Sequence, residues 1–115
     1  IQKRPPNVLM ADLWEFPGGK INQGEKPENA LIREFQEELQ FNIQVGNKIV
    51  TLKHGYTNFS VTLHAYLCQL IPEEQLPILH FASEYRWVKP QDLSNFTFPS
   101  ANRRLINILT EHSLF

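Results

Sequence analysis

The stretch GGKINQGEKPENALIREFQEEL, Gly18 to Leu39, sets four acids, Glu25, Glu34, Glu37 and Glu38, behind a double glycine. Pro27 suits the first turn of a helix, where its missing N–H costs nothing. Apolar periodicity carries that helix to about Leu39. Lys26 is a poor N-cap residue, so a slightly frayed start is expected. On a wheel of about 100° per residue, Phe35 and Leu39 lie within roughly 80° of Leu31 and form the buried stripe. Glu34, Glu37 and Glu38 cluster on a neighbouring face, with the small Ala30 among them. Arg33, Gln36 and Gln40 take the side facing water.

A charged helix face is ordinarily just solvated, and Arg33 with Glu37 makes a common i,i+4 pair. Two costs weigh against that bland reading. Glu34 and Glu38 are like charges at i,i+4, worth a few tenths of a kcal/mol against the helix. Glu37 and Glu38 sit near its C-terminus, where the dipole disfavours acids by about 0.3–1 kcal/mol each. A divalent cation reverses both signs, and hard oxygen ligands suit Mg²⁺ or Mn²⁺. Gly18 and Gly19 are on their own a tight turn between strands. Beside these acids, bare backbone also allows close approach to a phosphate, or a carbonyl offered to a metal.

The chain has 115 residues, 42% of them hydrophobic and 20% charged, and its formal net charge is −1. That is one domain, residues 1–115, with enough chain to enclose a core. No basic surplus advertises non-specific nucleic-acid binding. A local basic face around Lys3 and Arg4 or Arg103 and Arg104 stays open. The single cysteine, Cys68, permits no internal disulfide and no thiolate metal cluster, which suits the reducing cytoplasm. The apolar runs are too short to span a bilayer, so no membrane partner is expected. No feature specifies an oligomeric state. Because the chain begins at Ile1, a strand before it is expected to be missing, or the chain to be the C-terminal part of a longer protein.

Elsewhere, strands are expected at Ile1–Lys3, stopped by Pro5 and Pro6, at Leu13–Phe16 and at Lys20–Asn22. Ile43–Val45 and Lys48–His54 read as two strands punctuated by Gly46-Asn47. Phe59 to Leu70 alternates Phe59, Val61, Leu63, Ala65 and Leu67 inward against polar neighbours. Residues 71–79 read as a loop, Glu84–Val88 as a strand and Pro90–Leu93 as a turn. A last helix follows Pro99, with Leu105, Ile106, Ile108 and Leu109 on one face. Short strands interrupted by two helices predict an α+β sandwich rather than a βαβ array.

The spacing Gly19, Glu25, Arg33-Glu34-Phe35, Glu37-Glu38, Phe41 resembles the Nudix box, G-x5-E-x7-R-E-U-x-E-E-x-G-U, where U is apolar. The chain departs at Gln40, where the family usually has the Gly that ends the helix. The resemblance implies the Nudix fold, a mixed β-sheet sandwiched between α-helices. It implies a Mg²⁺- or Mn²⁺-dependent hydrolase of X-linked nucleoside diphosphates. By position, Glu34, Glu37 and Glu38 resemble the metal ligands, with a backbone carbonyl from Gly18 or Gly19. Glu34 is the candidate for activating water, and Arg33 and Glu25 orient carboxylates within the box.

LWEFPGGK, Leu13 to Lys20, is similar to the MutT-type 8-oxo-dGTP diphosphatases and to the C-terminal domain of A/G-specific adenine DNA glycosylases. FPSAN, Phe98 to Asn102, resembles the segment whose Asn contacts the purine edge in the MutT type. That places Phe98 and Asn102 among the substrate-binding candidates. On the residues alone, Asn102 merely opens the last helix. Arg4 matches a substrate-contacting Arg of the MutT type, and is otherwise a solvated surface arginine. HGYTNFSVTLHAY, His54 to Tyr66, resembles the glycosylase segment whose loop reaches 8-oxoguanine in DNA. Thr57 and Asn58 are then the contacting residues, although Asn58 stands where those relatives have His. Glu84 is either an extra ligand or a plain strand residue. The intact acids favour a hydrolase that cleaves 8-oxo-dGTP to the monophosphate and pyrophosphate in DNA damage avoidance. The alternative is the domain of an adenine glycosylase that reads DNA containing 8-oxoguanine.

Overall fold

The structure, a computed structural model, describes residues 1–112. Helix α1 spans Pro27–Leu39, with Pro27 in its first turn and no side-chain cap from Lys26. It ends at Gln40, which takes the left-handed conformation (φ 52°, ψ 36°) despite its Cβ. The N–H groups of Gln40 and Phe41 then satisfy the carbonyls of Gln36 and Phe35 at 3.1 and 3.3 Å. The helix therefore stops where the expected glycine would have stopped it. The non-glycine residue carries about 1 kcal/mol of backbone strain.

The strands are β1 Gln2–Lys3, β2 Trp14–Glu15, β3 Ile43–Gly55, β4 Ser60–Leu70 and β5 Glu84–Tyr85. A 3₁₀ turn, Pro90–Asn95, leads into helix α2, Ser100–Glu111. The α+β expectation holds. The described strands, however, do not form one mixed sheet. They form two antiparallel sheets, β2-β1-β5 and β3-β4. Pro5 and Pro6 stop β1, and Pro17 stops β2, so these ladders are two residues long.

No strand forms at Lys20–Asn22. Its backbone is spent on side chains instead: Arg33 Nη2 donates to the Lys20 carbonyl (2.8 Å), and Asn22 N–H donates to Glu25 Oε1 (3.0 Å). The two strands expected on either side of Gly46-Asn47 are one, β3, whose register against β4 shifts between Val45 and Lys48 and again before Val50. Gly46 lies at that irregularity, where an added Cβ would meet the Leu67 carbonyl at 2.9 Å. These shifts break the simple alternation expected for β4. Leu67 is 51% exposed and Phe59, in the turn before the strand, 40%.

Both helices pack on β3. Leu105 and Leu109 of α2 meet Leu52, with Ile49, Val50, Leu63 and Ala65 around them. A second cluster joins Trp14, Leu93 and Phe98. Phe16, just before the double glycine, packs against both clusters and so fixes the glycine turn relative to both sheets.

Candidate active site

Arg33 does not face water alone, as the helical wheel suggested. It lies half-buried in a fork of acids. Its Nε and Nη2 donate to the two oxygens of Glu25 at 2.9 and 3.0 Å, and Nη1 donates to Glu34 (2.8 Å) and Glu37 (3.2 Å). Planar bidentate pairing is a guanidinium property that lysine lacks. The fork ties the loop after the double glycine to the helix. Its hydrogen bonds hold the Glu25 carboxyl below its ordinary range. Gly19 packs directly over Glu34, and any Cβ there would collide with that carboxylate. Gly18, at φ +150°, sits in a conformation that favours glycine.

Glu38 differs from its neighbours. Burial, followed by the nearby charges of Glu34 and Glu15, pushes its carboxyl up to about 7. Hydrogen bonds from Gln2 and the Gly18 backbone pull the other way and are outweighed. Gln2, 1% exposed, donates from Nε2 to Glu38 Oε2 (3.0 Å) and to Glu15 Oε2 (3.1 Å). Arg4 Nη1 caps the other Glu15 oxygen at 2.8 Å, and its guanidinium lies 5.5 Å from the Phe81 ring centre.

A cavity of about 870 Å³ opens between this turn, α1, the β4 strand and α2. Glu15, Gly18, Gly19, Glu38, Arg4 and Asn102 all line it. Asn102 accepts a hydrogen bond from the Phe16 N–H at Oδ1 (3.4 Å), and its Nδ2 has no partner among the described residues. Asn102 thus does more than open α2.

Other expected site residues stand elsewhere. Phe98 is 3% exposed, stacked on Phe16 with centroids 5.9 Å apart, and belongs to the core. Thr57 and Asn58 are exposed in the β3–β4 turn and do not line the cavity. Glu84 pairs with Arg86 at 2.9 Å. Tyr56 accepts the Ala101 N–H at its hydroxyl (3.0 Å), tying the β3–β4 turn to the start of α2. The Glu37 side chain is 59% exposed and, among the described residues, engaged only by Arg33. Among the described residues, no three His, Cys, Asp or Glu side chains stand together as a formed metal cluster. Arg33 draws Glu34 and Glu37 along the helix, while Gln2 and Gly18 hold Glu38.

The donor chemistry nonetheless fits a hard cation. Oxygen ligands are what such a cation takes, and the carboxylates of Glu34 and Glu15 lie near enough to Glu38 to add to the rise that its burial causes. Sequence reasoning missed Gln2 and Glu15. Glu15 stands immediately before Phe-Pro-Gly-Gly, and its distance from the acidic helix in sequence hid the pairing.

Residues 1–107 match the NUDIX domain family. The chain belongs to the Nudix family. It is 33% identical to an 8-oxo-dGTP diphosphatase of Escherichia coli K12, over 92% of this chain and 81% of that protein. It is 39% identical to an 8-oxo-dGTP diphosphatase of Proteus vulgaris, over 58% of this chain and 60% of that protein. Among solved structures, a MutT protein of methicillin-resistant Staphylococcus aureus, described as a Nudix hydrolase, aligns at a TM-score of 0.61. It shares 37% identity and covers 85% of this chain and 75% of that one. Within this Nudix domain the box acids, Arg33 and the double glycine occupy the turn and helix described above.

Proposed function

We propose that the chain is a divalent-metal-dependent nucleoside triphosphate diphosphohydrolase of MutT type, acting on 8-oxo-dGTP in the cytoplasm. The observation that carries this reading is that one cavity is lined both by the partly buried acid Glu38 and by Asn102. The relatives named for 8-oxo-dGTP hydrolysis support the choice of substrate.

Glu34, Glu37 and Glu38, with carbonyl oxygens of Gly18 or Gly19, would hold Mg²⁺ or Mn²⁺, which when bound neutralises phosphate charge and lowers the pKa of a coordinated water. Arg33 fixes the Glu34 carboxylate, and Glu25 fixes Arg33. A bare Gly19 leaves room for Glu34 beneath the turn. In the reaction, a water oxygen bonds to phosphorus as the anhydride between the α and β phosphates breaks. Pyrophosphate leaves, and a carboxylate accepts the water's proton. Glu34 was the candidate for that proton on sequence grounds. We keep that assignment, because Arg33 holds the Glu34 carboxylate at 2.8 Å and the bare Gly19 leaves it room. Asn102 offers an amide that both donates and accepts, which suits a purine edge. Arg4, lining the same cavity, supplies a guanidinium for the substrate.

The test is pyrophosphate release from 8-oxo-dGTP with Mg²⁺, with and without EDTA. Turnover that EDTA abolishes is expected. In the Asn102→Ala protein, kcat/KM for 8-oxo-dGTP is expected to fall about 10–100-fold, in keeping with an amide–purine contact worth about 1–3 kcal/mol. Absence of turnover with 8-oxo-dGTP and the ordinary nucleoside triphosphates overturns the reading. Binding of 8-oxoguanine DNA without turnover would instead install the DNA-reading alternative.

A further inference from the structure

Gln2 is the most deeply buried polar side chain among the described residues, and it lies outside the box. Both hydrogens of its Nε2 are spent on carboxylates, one from β2 (Glu15) and one from α1 (Glu38). Where both acids are ionised the amide orientation is fixed, because a carboxylate accepts and cannot donate. Its Oε1 is left buried with no hydrogen-bond partner among the described residues. Gln2 also borders a second cavity, about 320 Å³ and lined mostly by apolar groups such as Phe35, Leu39, Phe41 and Trp87. An orphaned amide oxygen in such surroundings weakens the fold. An apolar residue would avoid that penalty, yet would leave Glu15 and Glu38 without their common donor.

A basic residue would hold the same two acids more strongly, as Arg33 does on the far side of Glu34. It would also neutralise them. A neutral amide is the donor that holds two carboxylates in place and leaves their negative charge available. We infer that Gln2 is a positioning residue, a neutral clamp that presets Glu38 and Glu15 for the cation without competing with it. The inference rests on the metal-dependent reading above. It adds Gln2, and through it Glu15, to the parts on which cation affinity depends.

The test uses Mn²⁺ alone, without nucleotide, titrated into wild type, Gln2→Met and Gln2→Lys, with bound Mn²⁺ read by electron paramagnetic resonance. Folding is checked by near-ultraviolet circular dichroism. Mn²⁺ affinity is expected to fall about 10–100-fold in both variants, the range for residues that orient metal ligands. The lysine variant should lose affinity even where its melting temperature matches or exceeds wild type, which a merely structural role would not produce. In nucleotide assays at saturating Mg²⁺, the nucleotide KM should stay within about threefold while the Mg²⁺ concentration for half-activation rises by the same 10–100-fold.

A measurement on the wild type stands even if Gln2→Met does not fold. The Gln2 side-chain amide protons should broaden with the first equivalents of Mn²⁺ in ¹H–¹⁵N spectra. If the wild type binds Mn²⁺ while the folded variants bind it equally well, or the Gln2 amide stays sharp, the clamp is refuted and the metal reading survives. If the wild type binds no Mn²⁺, both fall.

Discussion

Glu38→Gln is expected to make the metal-free protein more stable and the enzyme inactive. The substitution keeps the length of the side chain and one acceptor oxygen for its donors, so it imitates the protonated acid. In the folded chain that acid is held at about 7 against an ordinary 4.5, chiefly by burial. The native state thus keeps a proton that the unfolded chain surrenders. This contribution to stability is present below about pH 4.5 and is lost as pH rises through about 7. At about 1.4 kcal/mol per tenfold change in acidity, full burial would make the loss about 3 kcal/mol. Glu38 is only partly buried, and solvent screening reduces the figure to about 1–2 kcal/mol.

A variant that cannot ionise recovers that amount at high pH and gains little at low pH. Glu25 and Glu28, whose carboxyls are held low by hydrogen bonds from Arg33 and Tyr66, contribute stability that is lost on acidification. That trend is common to both proteins and cancels in their difference. Thermal unfolding in EDTA should therefore show the variant melting about 4–8 °C higher at pH 8.5, and nearly together with wild type at pH 4.5. With saturating Mg²⁺ the order should narrow or reverse, since only a chain that binds the ion gains from it. Turnover should fall by at least about 10–100-fold, within the range for changes at metal sites and acid–base groups. A variant less stable than wild type at pH 8.5, or one whose advantage is the same at both pH values, would refute the reasoning.

Gly19→Ala places a methyl group into the Glu34 carboxylate. The fold should persist while kcat/KM drops about 100-fold, as expected for small misplacement of a reacting group; unchanged kinetics would show that Glu34 is not held there. Arg33→Lys removes the bidentate hold on Glu25 and the branch to Lys20. The expected result is a loss of at least about tenfold in kcat with a smaller change in nucleotide KM, measured by pyrophosphate release. Gln40→Gly relieves the left-handed residue at the end of α1. Urea unfolding should show a gain of about 0.5–1 kcal/mol, partly offset by the lost contact with His80 at 2.7 Å.

The acidic helix was legible because its signals are local. Pro27 marks its start, the Leu31–Phe35–Leu39 stripe gives its burial, and Glu34, Glu37 and Glu38 follow from helical geometry alone. What those acids do to one another was less legible. Their identical chemistry suggested one cluster, but the partners that separate them come from elsewhere in the chain. Arg33 takes Glu34 and Glu37 with help from Glu25, whereas Gln2 and Gly18 take Glu38. The strand at Lys20–Asn22 failed for a related reason, since side chains claimed the backbone groups a ladder would have used. Phe98 packs in the core against Phe16, which the motif did not foretell, because a motif position says which residue stands at a site and not which way it faces.

The same contrast explains why the site is built from two kinds of donor. Around Glu25, Glu34 and Glu37, a cation, Arg33, organises the acids through direct hydrogen bonds. Its planar fork supplies direction. Beside Glu38, a second cation would cancel negative charge that attracts a metal. There the chain uses amides, the Gln2 side chain and the Gly18 backbone. Low-dielectric surroundings make each remaining charge felt more strongly. The expected gain in stability from Glu38→Gln and the expected loss of affinity from Gln2→Lys follow from this one arrangement. The first removes the uncompensated charge and the second compensates it, and in both cases the protein should become easier to fold and poorer at holding a cation.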